Sequence, residues 1–227
     1  MITSFGSFDL IIFDWDGTLF DSVSPIIDLI EDAKLDDPQN EQSQQLKQSG
    51  LLPVLEQIIG GEHAVQVVDL KLLLNLEGLH TFRKKNGLYK GIAELLAKLH
   101  ALGQKMAVVA GRPQDEVFAE ITSLGISDYF VSVLGSDQGV VKPSPALLQS
   151  ILSLSGCDVS RAVLVGDSTL DMEMATLARM SMLGAAYATR DNDPYCLARL
   201  PPWQPLAIAT SVNELSQILL NDHDFHG

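Results

Sequence analysis

Five short apolar runs recur along the chain between stretches of helical spacing: Leu10 to Phe13, Met106 to Ala110, Val131 to Leu134, Ala162 to Val165 and Met182 to Ala185. A strand satisfies its backbone in a ladder and a helix buries one stripe, so their alternation predicts an α/β fold, a parallel sheet flanked by helices. The helical stripes are clearest at Ile92, Leu95, Leu96, Leu99 and Leu102, at Val117, Phe118, Ile121 and Leu124, and at Leu147, Leu148, Ile151 and Leu154. Each stops at a glycine, Gly103, Gly125 or Gly156, suited to a left-handed C-terminal cap, and Ser144-Pro145 suits the start of the third.

The first interval departs from this rhythm. More than ninety residues separate the first two strands, far beyond what one crossover helix requires. From about Ser24 to Gly87 the apolar residues keep helical spacing: Ile26, Ile27, Leu29 and Ile30, then Leu51 to Ile59, then Val65 to Leu76. We expect an inserted helical domain at 22–88, with the α/β core built from 1–21 and 89–227. A chain of 227 residues with 46% hydrophobic content can bury one sizeable core and a smaller accessory one.

Charge narrows the partners. With 29 acidic against 15 basic residues and a net charge of −14, the surface repels nucleic acid and anionic lipid, so an anionic ligand must meet a local positive site. The two cysteines, Cys157 and Cys196, have no metal-binding or redox spacing, which fits a reducing, cytoplasmic compartment. The apolar stretch from Phe8 to Phe20 carries Asp9, Asp14 and Asp16 and reads as a buried strand, not a leader or a membrane span. Monomer and homodimer both remain open.

Ligands of open parallel sheets bind beyond the carboxyl ends of the strands, so the residues that follow each run form one list. That list holds Asp14-Trp15-Asp16-Gly17-Thr18, Ala110-Gly111-Arg112, Lys142-Pro143, Gly166-Asp167-Ser168 and Asp171. Asp14 and Asp16, at i and i+2 on extended chain, share a side, and Gly17 lets the loop turn its amides toward a phosphoryl group. One ionised carboxylate can attack phosphorus while a neighbouring acid protonates the departing oxygen and later deprotonates water. Phosphate and carboxylates repel, so a hard divalent cation, Mg2+, is required, with Asp167 as a further ligand. Lys142 can neutralise the nucleophile and the transferring oxygens. Asp171 suits either the orientation of metal-bound water or the capping of its helix. Trp15 alternates with the aspartates and is expected to pack.

DWDGTLFDS at Asp14 to Ser22, KPSP from Lys142 and VGDSTLDMEMA from Val165 resemble, in order, the first, third and fourth motifs of the haloacid dehalogenase superfamily. The resemblance covers essentially the whole chain, and the insertion after the first motif resembles the cap of the phosphoglycolate phosphatase-like branch. It implies a Rossmann-like core with a helical cap, and hydrolysis of a small phosphorylated metabolite with magnesium. By that resemblance Asp14 is nucleophile and metal ligand. Asp16 is acid/base and lends its backbone carbonyl to the metal, Asp167 is a further ligand, and Lys142 holds nucleophile and phosphate. Gly17, Thr18, Gly111 and Arg112 are the expected phosphate-binding positions, with Asp171 beside the metal.

One departure stands out. The second motif of the family ends its strand with Ser or Thr, and here Ala110 takes that place, so one phosphate donor is missing. Arg112 reads equally as a phosphate partner and as a surface ion-pair partner. Asp21 and Ser22 read as helix caps, Arg83-Lys84-Lys85 as a solvated face, and Gln48-Ser49-Gly50 as a specificity loop of the cap. A sugar phosphomutase would use the same aspartate. A regulator that only binds phosphate is the reading from a different class, and a magnesium-dependent assay on a generic phosphate ester separates it from a working enzyme.

Overall fold

The computed structural model describes residues 8–22, 87–136, 140–188 and 194–221. Contacts divide the chain into one unit of Met1–Phe20 with Leu88–Gly227 and another of Asp21–Gly87. The expected cap, its Gln48-Ser49-Gly50 loop, Arg83-Lys84-Lys85 and the helix that Asp21 and Ser22 would cap lie outside the described residues.

Within the first unit the order is β1 (Leu10–Asp14), α1 (Ile92–Ala101), β2 (Lys105–Val109), α2 (Gln114–Ser123), β3 (Phe130–Leu134) and α3 (Ala146–Ser155). It continues with β4 (Ala162–Gly166), α4 (Thr169–Ala178), β5 (Ser181–Ala185), α5 (Pro194–Arg199), β6 (Ala207–Ala209) and α6 (Val212–Asn221). The sheet runs β3-β2-β1-β4-β5-β6, every pairing parallel. Strand order therefore reverses at β1. Chain order moves outward on one side through β2 and β3 and on the other through β4 to β6, which opens the ligand crevice at the carboxyl ends of the central strands.

The side-chain period of two explains the two cores. Ile11 and Phe13 of β1 pack with Ile92, Leu95, Leu96 and Leu99 of α1, Val117 and Ile121 of α2 and Leu215 of α6. Leu10 and Ile12 pack on the other face with Leu147, Leu148 and Ile151 of α3 and Met172 and Met174 of α4. Covered on both faces, β1 and β4 are buried throughout, as helices on both sides of a parallel sheet demand. The three expected helix ends hold, since Gly103, Gly125 and Gly156 all have positive φ. β6 was not expected. Its three residues are too few to show a period, yet they pair with Leu183–Ala185 of β5.

The chain leaves and re-enters this unit through an antiparallel bridge between Phe20 and Leu88, and Asp21 N donates to Gly87 O at 2.8 Å. Among the described residues no helix is long and apolar enough to cross a membrane.

Candidate active site

β1 ends at Asp14, buried to 2% exposure, opposite Val109 of β2. Trp15 N donates to Asp14 Oδ1 at 2.7 Å, and the chain then folds back so that Trp15 O accepts from Leu19 N and Phe20 N. Gly17 makes the turn at φ 84°, where a side chain is costly. A Cβ there would also lie 2.5 Å from Asp167 Oδ2, so any side chain at this position must displace the Asp167 carboxylate. Trp15 is fully buried and stacks on Phe20 with centroids 5.4 Å apart, the packing role its alternation implies.

β4 delivers the facing acids. Asp167 Oδ1 accepts from Thr18 Oγ1 at 3.3 Å. Asp171, in the first turn of α4, forms a capping box with Ser168: its Oδ2 accepts from Ser168 N at 3.1 Å and from Ser168 Oγ at 2.5 Å, and Ser168 Oγ accepts from Asp171 N. Its other oxygen turns to the site. Lys142 Nζ donates to Asp171 Oδ1 at 2.6 Å and to Asp14 Oδ1 at 2.5 Å, bridging the ends of β1 and α4. Asp171 thus both caps its helix and faces the site.

Asp14, Asp167 and Asp171 are all buried, and each offers a carboxylate oxygen within 4.8 Å of the others. Such crowding is unfavourable without positive charge, and an anionic, all-oxygen donor set fits magnesium. Tyr187 Oη donates to Thr18 O at 3.0 Å beneath this cluster. Burial first, then the charges of Asp167 and Asp14, push its phenol well above the usual value, so it stays a neutral donor.

Asp16 belongs to a second arrangement. Its Oδ2 accepts from Arg112 Nε at 2.7 Å. Arg112 Nη1 reaches Glu116 Oε2 at 3.4 Å and Glu120 Oε1 at 3.1 Å, and Nη2 reaches Glu120 Oε2 at 2.5 Å. That same Glu120 oxygen accepts from Trp15 Nε1 at 2.8 Å. Burial opposes the guanidinium charge, but Asp16 and Glu120 outweigh it and hold Arg112 above its ordinary range. The side chain is 4% exposed and all three of its nitrogens lie on carboxylates. Of the two readings of Arg112, the ion-pair one holds, but the pair is buried and not on the surface.

Ala110, fully buried, donates its N to Leu134 O at 2.8 Å. Gly111 O accepts from Ser136 Oγ at 2.7 Å.

The model of the haloacid dehalogenase-like hydrolases matches residues 11–185, a span that includes all of these groups except Tyr187. The chain belongs to that family. Among curated relatives, it is 28% identical over 195 residues to a phosphoglycolate phosphatase from Pseudomonas fluorescens, covering 82% of this chain and 72% of the relative. It is 28% identical over 223 residues to one from Vibrio parahaemolyticus, covering 92% and 95%. The phosphoglycolate phosphatase of Yersinia pestis matches at 34% over a shorter 130 residues, 56% of each chain. Among solved structures, a haloacid dehalogenase family hydrolase from Deinococcus radiodurans, crystallised with phosphate and sodium, superposes with a TM-score of 0.71 at 19% identity, covering 96% of this chain and 97% of that one. At that identity the likeness is one of fold.

For this family member, sequence reasoning missed Glu120 and Tyr187, and it collected Ser168 at a strand end without giving it a role. Ser168 carried a signal in its S-x-x-D spacing to Asp171. Glu120 carried a weaker one in the spacing of four that links it to Glu116 and Arg112. Tyr187 lies two residues beyond β5 with nothing around it in sequence to mark it.

Proposed function

We propose that this phosphatase hydrolyses a small phosphomonoester with magnesium, through an aspartyl phosphate on Asp14. The observation that carries the proposal is the Lys142 ammonium set between Asp14 and Asp171 inside the buried Asp14/Asp167/Asp171 cluster. A lysine so placed keeps Asp14 ionised and nucleophilic while compensating charge on the arriving phosphoryl oxygens.

Asp14, Asp167 and the Asp16 carbonyl would hold the metal, with Asp171 beside it. Bound there, magnesium supplies the charge that lets an anionic ester approach anionic side chains. In the first half-reaction the Asp14 carboxylate forms a bond to phosphorus, the ester P–O bond breaks, and the Asp16 carboxylic acid gives its proton to the departing oxygen. In the second, water gives a proton to the Asp16 carboxylate and attacks phosphorus, and the Asp14–phosphorus bond breaks. Gly17, Thr18 and Gly111 border the phosphoryl position. The helical cap at 22–88 forms part of the same proposal as the element that selects the substrate and gates water.

Phosphoglycolate is the first substrate to test, because the relatives above carry that name. Purified protein with a panel of small phosphate esters is expected to release phosphate only with magnesium present. Undiminished release in excess chelator would remove the metal from the proposal, and no release from any ester would remove the activity.

A further inference from the structure

Arg112 lies beside the site, yet its interactions point away from phosphate. Its Nε–H is on Asp16 Oδ2 at 2.7 Å, and the rest of its fork is held by α2 through both oxygens of Glu120 and through Glu116. Glu120 in turn takes the Trp15 indole, and Trp15 is the residue between the two site aspartates. The four side chains form a closed unit that fixes the Asp14–Asp16 loop from behind. Asp16 Oδ1 is buried and has no hydrogen-bond partner among the described residues.

A carboxyl oxygen that accepts from a guanidinium N–H has one of its lone pairs engaged and its direction fixed, and a guanidinium has no acceptor to take a proton in exchange. Deprived of freedom at Oδ2, Asp16 keeps one oxygen for chemistry. We propose that Arg112, braced by Glu120, is a positioning residue that ties Asp16 Oδ2 and leaves Oδ1 as the oxygen that delivers and collects the proton. The inference rests on the phosphatase reading above and deepens it. Arg112 acts through Asp16 and touches neither ester nor metal.

The test uses the full-length protein with magnesium and two esters, p-nitrophenyl phosphate, whose leaving group needs little protonation, and an alkyl phosphate, whose leaving group needs much. Arg112→Met is expected to lower kcat on the alkyl ester by roughly 30- to 100-fold, toward the loss in Asp16→Asn, with KM changed by less than about threefold. The loss on the nitrophenyl ester should be smaller. Added to Asp16→Asn, Arg112→Met should cost less than about threefold more, because both act on one proton transfer. Arg112→Lys should recover part of the rate, since a lysine can reach Asp16 but cannot reproduce the fork onto Glu120. Glu120→Gln keeps the shape and should lose only about three- to tenfold. A rise in KM at constant kcat would make Arg112 a phosphate ligand, and a full additional loss in the Asp16→Asn background would make it a general structural support. Either result overturns the proposal.

The metal-free protein supplies a readout independent of turnover. The sequence has two tryptophans, Trp15 and Trp203, so Trp203→Phe assigns the Trp15 indole N–H resonance. That resonance is expected to move in Arg112→Lys, Glu120→Gln and Asp16→Asn. An unmoved indole in Arg112→Lys and Asp16→Asn overturns the clamp even if the enzyme is active. If the indole moves but the wild type hydrolyses no ester, the activity assignment fails and the assignment of a catalytic role to the clamp fails with it, while the linkage of the four side chains stands.

Discussion

Asp14 and Asp16 stand two residues apart on one loop, and each is paired with a buried cation that also grips a helix. Lys142 joins Asp14 to Asp171 of α4 on one side, and Arg112 joins Asp16 to Glu120 of α2 on the other. The construction is shared, but the cations differ. A compact ammonium has donors that can be redirected to an arriving oxygen, whereas a planar fork is most stable when all its directions are filled. Lysine therefore stands in the crowded carboxylate cluster, where charge must be shared among changing partners. Arginine stands where one carboxylate must be kept in one orientation.

Removing the anion at the first pair should have the largest effect. Asp14→Asn deletes the nucleophile and weakens the cluster, so turnover is expected to fall by about 10⁴-fold or more. Residual activity within tenfold of wild type would show that another residue attacks phosphorus. Lys142→Ala should follow, with a loss of roughly 10² to 10³ in kcat/KM. It also leaves Asp14 and Asp171 buried without their shared cation, a change worth about 3 to 5 kcal/mol where the protein cannot relax. Lys142→Arg should recover little, because a fork does not fit a place built around a point charge. Full recovery by arginine would erase the contrast between the two pairs.

Gly17→Ala acts on the same cluster from its backbone. The added carbon meets Asp167 Oδ2 at 2.5 Å and must adopt a left-handed conformation that costs about 1 to 2 kcal/mol. A several-fold rise in the magnesium concentration needed for half-maximal rate is expected, together with a lower unfolding midpoint. An unchanged magnesium requirement would detach Asp167 from its assigned place.

These contrasts also mark where sequence was informative. β1 and β4 declared themselves because a strand buried on both faces reads as a continuous apolar run, and α1, α2 and α3 because each of their stripes stops at a glycine. Asp14, Lys142, Asp167 and Asp171 were legible as candidates because each follows a strand or opens the next helix, and the strand-end rule collects them in one crevice. Arg112 was visible but not its direction, since nothing local says where a long side chain will place its fork. Glu120 was hidden for a physical reason. It sits between Val117 and Ile121 on an otherwise ordinary amphipathic helix, where a glutamate usually meets water, and only the folded position of Trp15 and Arg112 gives it a task. β6 escaped because its pairing with β5, not its composition, makes it a strand.

The expected effect at Ala110 is a gain and not a loss, and it discriminates most finely between the two roles considered for Arg112. Family resemblance puts a hydroxyl at this position as a phosphate donor, and the structure offers a fully buried methyl group whose amide is already taken by Leu134 O. If Arg112 supplied the missing donor, restoring a hydroxyl would add little. With Arg112 committed to Asp16 and Glu120, no side-chain substitute is evident among the groups described around it. A hydrogen bond to a charged group contributes about 1.5 to 3 kcal/mol, equivalent to roughly 10- to 100-fold in rate. Burial reduces that gain, because one added oxygen must find room in a packed site. Ala110→Ser is therefore expected to raise kcat/KM about tenfold on the best ester at saturating magnesium, with an unfolding midpoint within a few degrees of wild type. The same gain should appear in Arg112→Lys, since the two positions serve different groups. A flat or reduced efficiency in a stably folded Ala110→Ser variant would mean that the pocket is built around the methyl group. A gain confined to the Arg112→Lys background would return Arg112 to phosphate and dissolve the distinction between the two pairs.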